Sequence, residues 1–365
     1  MKLLHFSSAK TWRGGEQQIA YLYEELHNKG VEQWIFCPKK SALAMFSQQN
    51  GLNYITYRKR FSFNPLVAWK LKRICYEYGI DLVHIHDSHS HTYSYMSAIT
   101  GNSTPYILSR RVDFPVQNTW LSGLKYNHSS IKKIIAVSNF VLQILAPSII
   151  DSRKLSVIHS GIDPAKFKGK SQNLLRSEFK FPAHIKIIGN TAAIAPHKDY
   201  FTFIDTAGHL LKRHRDLKFL IIGSDGGEKQ LIEEYIDQKK LTDHIILTGF
   251  REDIPEIISE LDVFLFTSRE EGLGTSLLEA LASGIPVVCT DAGGVSEIIQ
   301  HNINGLVSSV GDSQNLANHV SRVLEDPELK DRLIKGGKSV LSDFTKKETA
   351  IKTLQIYREV LPGKF

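Results

Sequence analysis

Short apolar runs alternate with longer amphipathic stretches along almost the whole chain. Leu3–Phe6, Gln33–Cys37, Leu82–Ile85, Tyr106–Leu108, Ile134–Val137 and Leu155–Ile158 read as strands in the first part. Ile185–Ile188, Lys218–Ile222, Ile245–Leu247, Val263–Phe266 and Pro286–Cys289 form a second series. Helical spacing fills most of the intervals. This is the rhythm of βαβ units on a parallel sheet, given twice. The segment from Ser160-Gly161-Ile162-Asp163-Pro164 through Ser171 is polar and carries Gly and Pro, so it is the expected seam. The expectation is an α/β protein of two Rossmann-like domains with parallel sheets facing a central cleft. Ligands of open parallel sheets bind at strand C-terminal ends, which makes that cleft the expected active site.

The most informative segment is 267–297, TSREEGLGTSLLEALASGIPVVCTDAGGVSE. It follows a strand, turns through Glu270, Glu271, Gly272 and Gly274, and enters a helix over about Thr275 to Ala282. Ser283-Gly284 and Pro286 end that helix. Gly274 has no side chain, and Thr275 and Ser276 are natural N-cap types. Free backbone N–H groups and the positive end of the helix dipole then form an anion site suited to a diphosphate. Glu271 lies beside that position and Glu279 about one turn into the helix. Ionised carboxylates accept hydrogen bonds, and sugars and ribose offer hydroxyl donors. Phosphate held between two polyols describes a nucleotide sugar.

Composition narrows the class. The 365 residues suit two domains, and 42% hydrophobic with 23% charged is globular. Cys37, Cys75 and Cys289 are dispersed and make no disulfide framework or Cys-x-x-Cys pair; Cys289 reads as a small buried hydrophobe. No apolar run is long enough to span a bilayer, and the N-terminus does not read as a signal peptide. Charge is uneven. Residues 1–167 carry 20 Lys+Arg against 10 Asp+Glu, and residues 168–365 carry 25 against 28. A basic first half suits anionic lipid, a phosphorylated acceptor or nucleic acid, or is a lysine-rich soluble surface. In the first half, Asn64 and Pro65 open a helix whose Val67, Leu71, Ile74 and Tyr78 face a core. Basic residues around Phe61, Phe63 and Trp69, in and after Arg58-Lys59-Arg60, suit either an ordinary packed helix or a membrane surface.

The Glu271 to Glu279 spacing resembles the E-x7-E signature of retaining glycosyltransferase family 4. Gly284-Ile285-Pro286-Val287-Val288, Gly293-Gly294 and Glu297 also resemble that family, as do Ser160-Gly161-Ile162-Asp163 and Gly14-Gly15 after the first strand. The resemblance covers nearly the whole chain. It implies a GT-B fold, with an acceptor-binding domain at 1–165, a nucleotide-sugar domain at 170–345, and a C-terminal helix of about 346–365 packing back on the first. It implies catalytic roles for Glu271, Lys198 and His86. Gly14, Gly15, Lys198, Gly272, Leu273, Gly274, Thr275 and Glu279 are implied at the donor, with Glu279 on the ribose. The implied reaction is retaining transfer from a nucleotide sugar to a glycan or lipid-linked acceptor, in cell-envelope polysaccharide or lipopolysaccharide synthesis. The chain contains no Asp-x-Asp, so no metal and no cofactor are expected. The expected place is the cytoplasm, peripheral on the inner face of the membrane.

Two positions depart from the family pattern. Asn190-Thr191-Ala192-Ala193 stands where the family often has an arginine, and Ser109-Arg110-Arg111 where it commonly has a histidine. Arg110 and Arg111 are therefore candidates for diphosphate or an anionic acceptor, with His89 beside them. His84, His86, His89 and His91 with Asp87 suggest a metal at first sight, but two lie on a strand of period two. Acceptor contacts or structural histidines account for them better. A sugar-nucleotide epimerase of the same architecture and a non-catalytic nucleotide-sugar-binding protein remain alternatives. A nicotinamide dehydrogenase is disfavoured, because no Gly-x-Gly-x-x-Gly follows the first strand. No nucleic-acid-reading module is recognisable.

Overall fold

The computed structural model describes residues 1–59, 63–117, 119–167, 169 and 173–364. Arg60, Phe61, Ser62 and Ser171, used above, lie outside the described residues. The chain divides into two compact units: Met1–Gly161 with Lys346–Phe365, and Ile162–Thr345.

The first unit contains β1 (Lys2–Phe6), α1 (Gly14–His27), β2 (Glu32–Pro38), α2 (Ala42–Gln49), β3 (Tyr54–Tyr57), α3 (Pro65–Tyr78) and β4 (Leu82–Ile85). It continues with α4 (Ser88–Ile99), β5 (Tyr106–Arg110), α5 (Trp120–Asn127), β6 (Ile131–Ala136), α6 (Asn139–Leu145) and β7 (Leu155–Val157). Its sheet is parallel, in the order β3-β2-β1-β4-β5-β6-β7. Both faces are buried, which explains why the central strands read as continuous apolar runs. Leu4, Phe6, Val83, Ile85 and Leu108 fill one side. Leu3, Leu82, Ile107 and Ile135 fill the other, together with Ala350, Leu354 and Tyr357 of α14 (Lys346–Val360).

The second unit contains α7 (Leu174–Glu178), β8 (Lys186–Thr191), α8 (Tyr200–Leu211), β9 (Leu217–Ile222), α9 (Lys229–Gln238), β10 (Ile245–Gly249) and α10 (Ile254–Ile258). β11 (Val263–Phe266), α11 (Thr275–Ala282), β12 (Val287–Thr290), β13 (Leu306–Ser308), α12 (Ser313–Glu325) and α13 (Pro327–Val340) complete it. The parallel order is β10-β9-β8-β11-β12-β13. In each sheet the order reverses beside the first strand, between β1 and β4 and between β8 and β11. A crevice opens at such a switch point.

The strand series of the sequence is present, with two additions. β3 and β13 are short edge strands, each paired on one side only. Asn64 caps α3 through its side chain and Pro65 opens it, as expected, and Val67, Leu71 and Ile74 are buried. Tyr78 is corrected: it is 40% exposed and sits edge-on to Trp34 at the surface instead of entering the core. No described helix is long and apolar enough to cross a membrane.

Candidate active site

In the second unit the chain leaves β11 at Phe266 and reverses before α11. Gly274 makes the reversal as N-cap at φ +88°, where an L side chain is strained, and a Cβ would lie 2.9 Å from Leu277 Cδ1. The Gly274 carbonyl accepts the Leu277 N–H at 3.0 Å. Thr275 and Ser276, expected as capping types, are instead the first two residues inside the helix, and no side chain caps it. The cause is the left-handed turn at Gly274, which closes the helix start through backbone. The leading N–H groups therefore keep the partial positive charge that an anion would meet. Gly294 packs against the same turn, its N–H donating to the Glu271 carbonyl at 2.9 Å. A Cβ on Gly294 would meet the Gly272 carbonyl oxygen at 2.2 Å. At its other end α11 stops where the sequence placed the stop: Gly284 N–H returns to Leu281 O and Ile285 N–H to Ala280 O.

Lys198 ends a tight turn, Pro196–Lys198, that precedes α8. Its Nζ forms an ion pair with Glu271, and both side chains are largely buried. Four hydrogen bonds hold this turn to the β11–α11 loop. Arg269 N–H donates to His197 O at 2.8 Å, and Thr267 Oγ1 donates to Lys198 O at 3.1 Å. The Arg269 guanidinium grips Asp199 at 2.8 and 3.2 Å. Asp199 also caps α8, accepting from Thr202 N and Oγ1. Arg269 was not singled out from the sequence. Its partner is 70 residues away, so only the neighbouring Glu270-Glu271 pair hinted at its place. It positions the Lys198 turn.

Glu279 is half-buried on α11 and makes no ion pair or hydrogen bond through its carboxylate among the described residues. Burial alone raises its pKa from 4.5 to about 7. Gly272, Leu273 and Gly274 are buried and Thr275 half-buried around the same helix start. Lys198, Glu271 and the first turn of α11 are thus brought together, with Glu279 on the next turn.

In the first unit, Gly14 and Gly15 open α1, and nothing lies within 4 Å of a Cβ built at either position. The fold itself does not require glycine there. The space stays open for close approach to the backbone. Glu16, next in line, is buried and its pKa raised by desolvation; it accepts from Arg13 N–H at 3.2 Å.

The arginine pair separates. Arg110 is buried, donates to Tyr126 Oη at 3.1 Å and to the Phe114 carbonyl, and lies over the Phe114 ring. Arg111 points the other way, with Nη1 3.5 Å from His86 Nδ1. Burial lowers its pKa to about 10, against the raising influence of Glu16, Tyr357 and Asp87, so it is a cation at neutral pH.

The histidines also divide. His91 is buried edge-on to Tyr126, with Nε2 on Lys125 O. His89 is half-exposed in the first turn of α4, its pKa lowered by burial and by Lys59. The register of β1 with β4 sets His5 beside His84. His5 joins His84 and His86 in a cluster whose ligand-type atoms lie within 4.8 Å of one another. His5 could not be added from the sequence, because it stands on a different strand. These nitrogens are already engaged. His5 bridges His86 at 3.1 Å and Gln33 at 3.0 Å. His84 bridges Tyr357 at 2.6 Å and Ser109 at 2.8 Å. A metal here would have to break that network beside the Arg111 charge. Burial lowers the pKa of all three rings, so they are neutral hydrogen-bonding groups.

Comparison with known proteins accounts for both units. The family described as Glycosyltransferase Family 4 matches residues 12–166, and Glycosyl transferases group 1 matches residues 171–340. A 2-deoxystreptamine glucosyltransferase of Streptomyces kanamyceticus is 30% identical over 196 residues, covering 52% of this chain and 50% of that protein. The lipopolysaccharide core biosynthesis glycosyltransferase LpsD of Rhizobium meliloti (strain 1021) is 22% identical over 345 residues, 93% of each chain. The crystal structure of Anabaena Alr3699/HepE in complex with UDP-glucose superposes with a TM-score of 0.88 at 19% identity, covering 98% of this chain and 100% of that one. With two parallel-sheet Rossmann-like units and both family regions matched in chain order, the protein belongs to glycosyltransferase family 4 and has the GT-B fold.

Proposed function

We propose that this glycosyltransferase moves a sugar from a nucleotide-sugar donor to an acceptor hydroxyl with retention of anomeric configuration and without metal, in cell-envelope polysaccharide or lipopolysaccharide synthesis. The observation that carries the reading is the Lys198–Glu271 pair at the uncapped start of α11. A diphosphate placed there meets one fixed cation and a helix N-terminus, a set that neutralises a leaving group without a metal ion. Glu271 holds Lys198 in place and offers its free oxygen to a sugar hydroxyl; Glu279 accepts from the ribose. The acceptor oxygen bonds to the anomeric carbon on the face from which the diphosphate leaves. The carbon–oxygen bond to phosphate breaks, and the acceptor proton passes to the departing phosphate oxygen. In the first unit, the open backbone at Gly14 and Gly15 and the Arg111 cation suit phosphate or an anionic acceptor. His86 steadies that cation through Nδ1, with His89 a nearby polar contact. The relative named for lipopolysaccharide core synthesis and the neighbour solved with UDP-glucose support the substrate class.

The test is NMR of freshly formed product from a panel of UDP-, GDP- and ADP-sugars, run with and without chelator. Retained configuration at an undiminished rate is expected. An inverted linkage, or activity abolished by chelator, overturns the reading, and conversion of the donor into an epimeric nucleotide sugar without any acceptor points to epimerase chemistry.

A further inference from the structure

Among the described residues, 17 large hydrophobic side chains are exposed, and 11 of them fall within residues 63–124. They are not scattered as ordinary surface apolar residues are. α3 carries an outward stripe, Leu66, Trp69 and Tyr76, besides its buried one. Trp120, Leu121 and Leu124 stand out from α5, and Ile99 from the end of α4. Between these three helices lies a groove of about 740 Å³, walled by Trp69, Tyr95, Met96, Ile99, Trp120 and Leu121. That volume is the size of a small-molecule site, whereas a helix adsorbing flat on a surface needs no such concavity.

The polar part of the lining favours one kind of occupant. Among the described residues no acidic side chain lines the groove, and its two charged lining residues are Lys72 and Lys125. Lys72 Nζ donates to Thr100 O at 2.6 Å and Lys125 Nζ to Thr92 Oγ1 at 3.3 Å, so each ammonium keeps further donors. Residues 58–133 hold 11 Lys+Arg against 4 Asp+Glu. Two exposed tryptophans at the rim, apolar walls and flanking lysines match the layers of an anionic lipid: headgroup phosphate, interface and hydrocarbon.

We propose that the groove between α3, α4 and α5 is a lipid-binding site that takes a hydrocarbon chain of an anionic phospholipid from a bilayer, with Lys72 and Lys125 at the headgroup. This places the basic half's partner in a defined pocket, and it stands independently of the transfer chemistry because the test uses no sugar.

The experiment uses the full chain and phosphatidylglycerol vesicles brominated on the acyl chain, which quench nearby tryptophan. Wild type is expected to co-sediment with the vesicles and to be quenched. Trp69→Phe/Trp120→Phe should still bind but lose the quench, since only Trp12 and Trp34 remain. Lys72→Gln/Lys125→Gln should bind about thirty-fold more weakly at low salt. Leu121→Glu, at an exposed position that leaves the fold intact, should abolish binding. Undiminished quenching in the double Phe variant, unchanged binding by Leu121→Glu, or equal binding to phosphatidylcholine overturns the proposal. So does a lipid-free dimer in sedimentation velocity that Leu121→Glu dissociates, which assigns the groove to a second copy of the chain.

Discussion

Changing Glu279 to Gln removes one ionisable group from the second unit and little else. The carboxyl has no ionic or hydrogen-bonding partner among the described residues, and its raised pKa comes from burial alone. The folded protein therefore holds this proton more tightly than the unfolded chain. Between the unfolded value of 4.5 and the folded value of about 7, the unfolded state binds fewer protons, so stability falls as pH rises through that window. The shift corresponds to about 3 kcal/mol of destabilisation, reached above pH 7, of which about 2 kcal/mol appears between pH 5 and pH 8. Glutamine is neutral throughout. In urea unfolding, Glu279→Gln should match wild type most nearly at pH 5 and exceed it by an amount that grows to pH 8. The same substitution tests function, with the opposite trend. If the ionised carboxylate accepts the ribose hydroxyls, nucleotide affinity should rise about tenfold from pH 6 to pH 8 and level off, because the ionised fraction does. Calorimetry in two buffers should detect a proton released on binding. Glu279→Gln should bind weakly at every pH with no proton release. A stability gap that does not change with pH refutes the burial argument. An affinity that does not change with pH refutes the ribose role.

Lys198→Ala should lower the transfer rate by about a hundredfold to a thousandfold while leaving the chain folded, measured by steady-state kinetics beside circular dichroism. A loss under tenfold removes Lys198 from the leaving-group site. Gly15→Ala should change stability by no more than about 1 kcal/mol yet impair donor use, because its Cβ meets nothing in the protein. Gly294→Ala, whose Cβ would meet the Gly272 carbonyl, should cost at least about 2 kcal/mol in urea unfolding; equal stability of the two variants contradicts the packing described. Arg111→Ala should impair transfer at nearly unchanged stability, whereas Arg110→Ala, which loses the Tyr126 and Phe114 contacts, should chiefly lower the unfolding midpoint. The reverse pattern would exchange their roles. If Arg111 serves the diphosphate, acceptor-independent donor hydrolysis falls with transfer; if it serves the acceptor, hydrolysis survives.

The sequence revealed central elements better than edges. Central strands are buried on both faces and read as apolar runs, so Leu82–Ile85 and Val263–Phe266 have the same limits in sequence and structure. β3, Tyr-Ile-Thr-Tyr with three half-exposed positions, and the three-residue β13 carry too weak an apolar signal to stand out. The limits of α11 were legible because Gly274, Gly284 and Pro286 act locally on the backbone. Contacts across long separations were not: His5 with His86, Arg269 with Asp199, and Tyr357 with His84 depend on which strands become neighbours. Strand period explains why adjacent arginines diverge, but which one meets the histidines needed the positions of α1 and α5. The outward face of α3 was masked by its inward one, since Trp69 reads equally well as core.

The path of the chain has a consequence for biosynthesis. Ile162 and Thr345 lie side by side in a parallel bridge, and Ile162 N–H donates to Phe344 O at 2.9 Å. The second unit is thus a continuous insertion whose ends meet, and everything it needs has been translated by Thr345. The first unit, although its strands are translated first, lacks Ala350, Leu354, Ile356 and Tyr357 until α14 emerges. Its nascent form leaves Leu3, Leu22 and Ile107 uncovered and His84 without the Tyr357 hydroxyl. The usual N-terminal-first order of vectorial folding is therefore inverted: the later-made unit can close while the earlier one waits for α14.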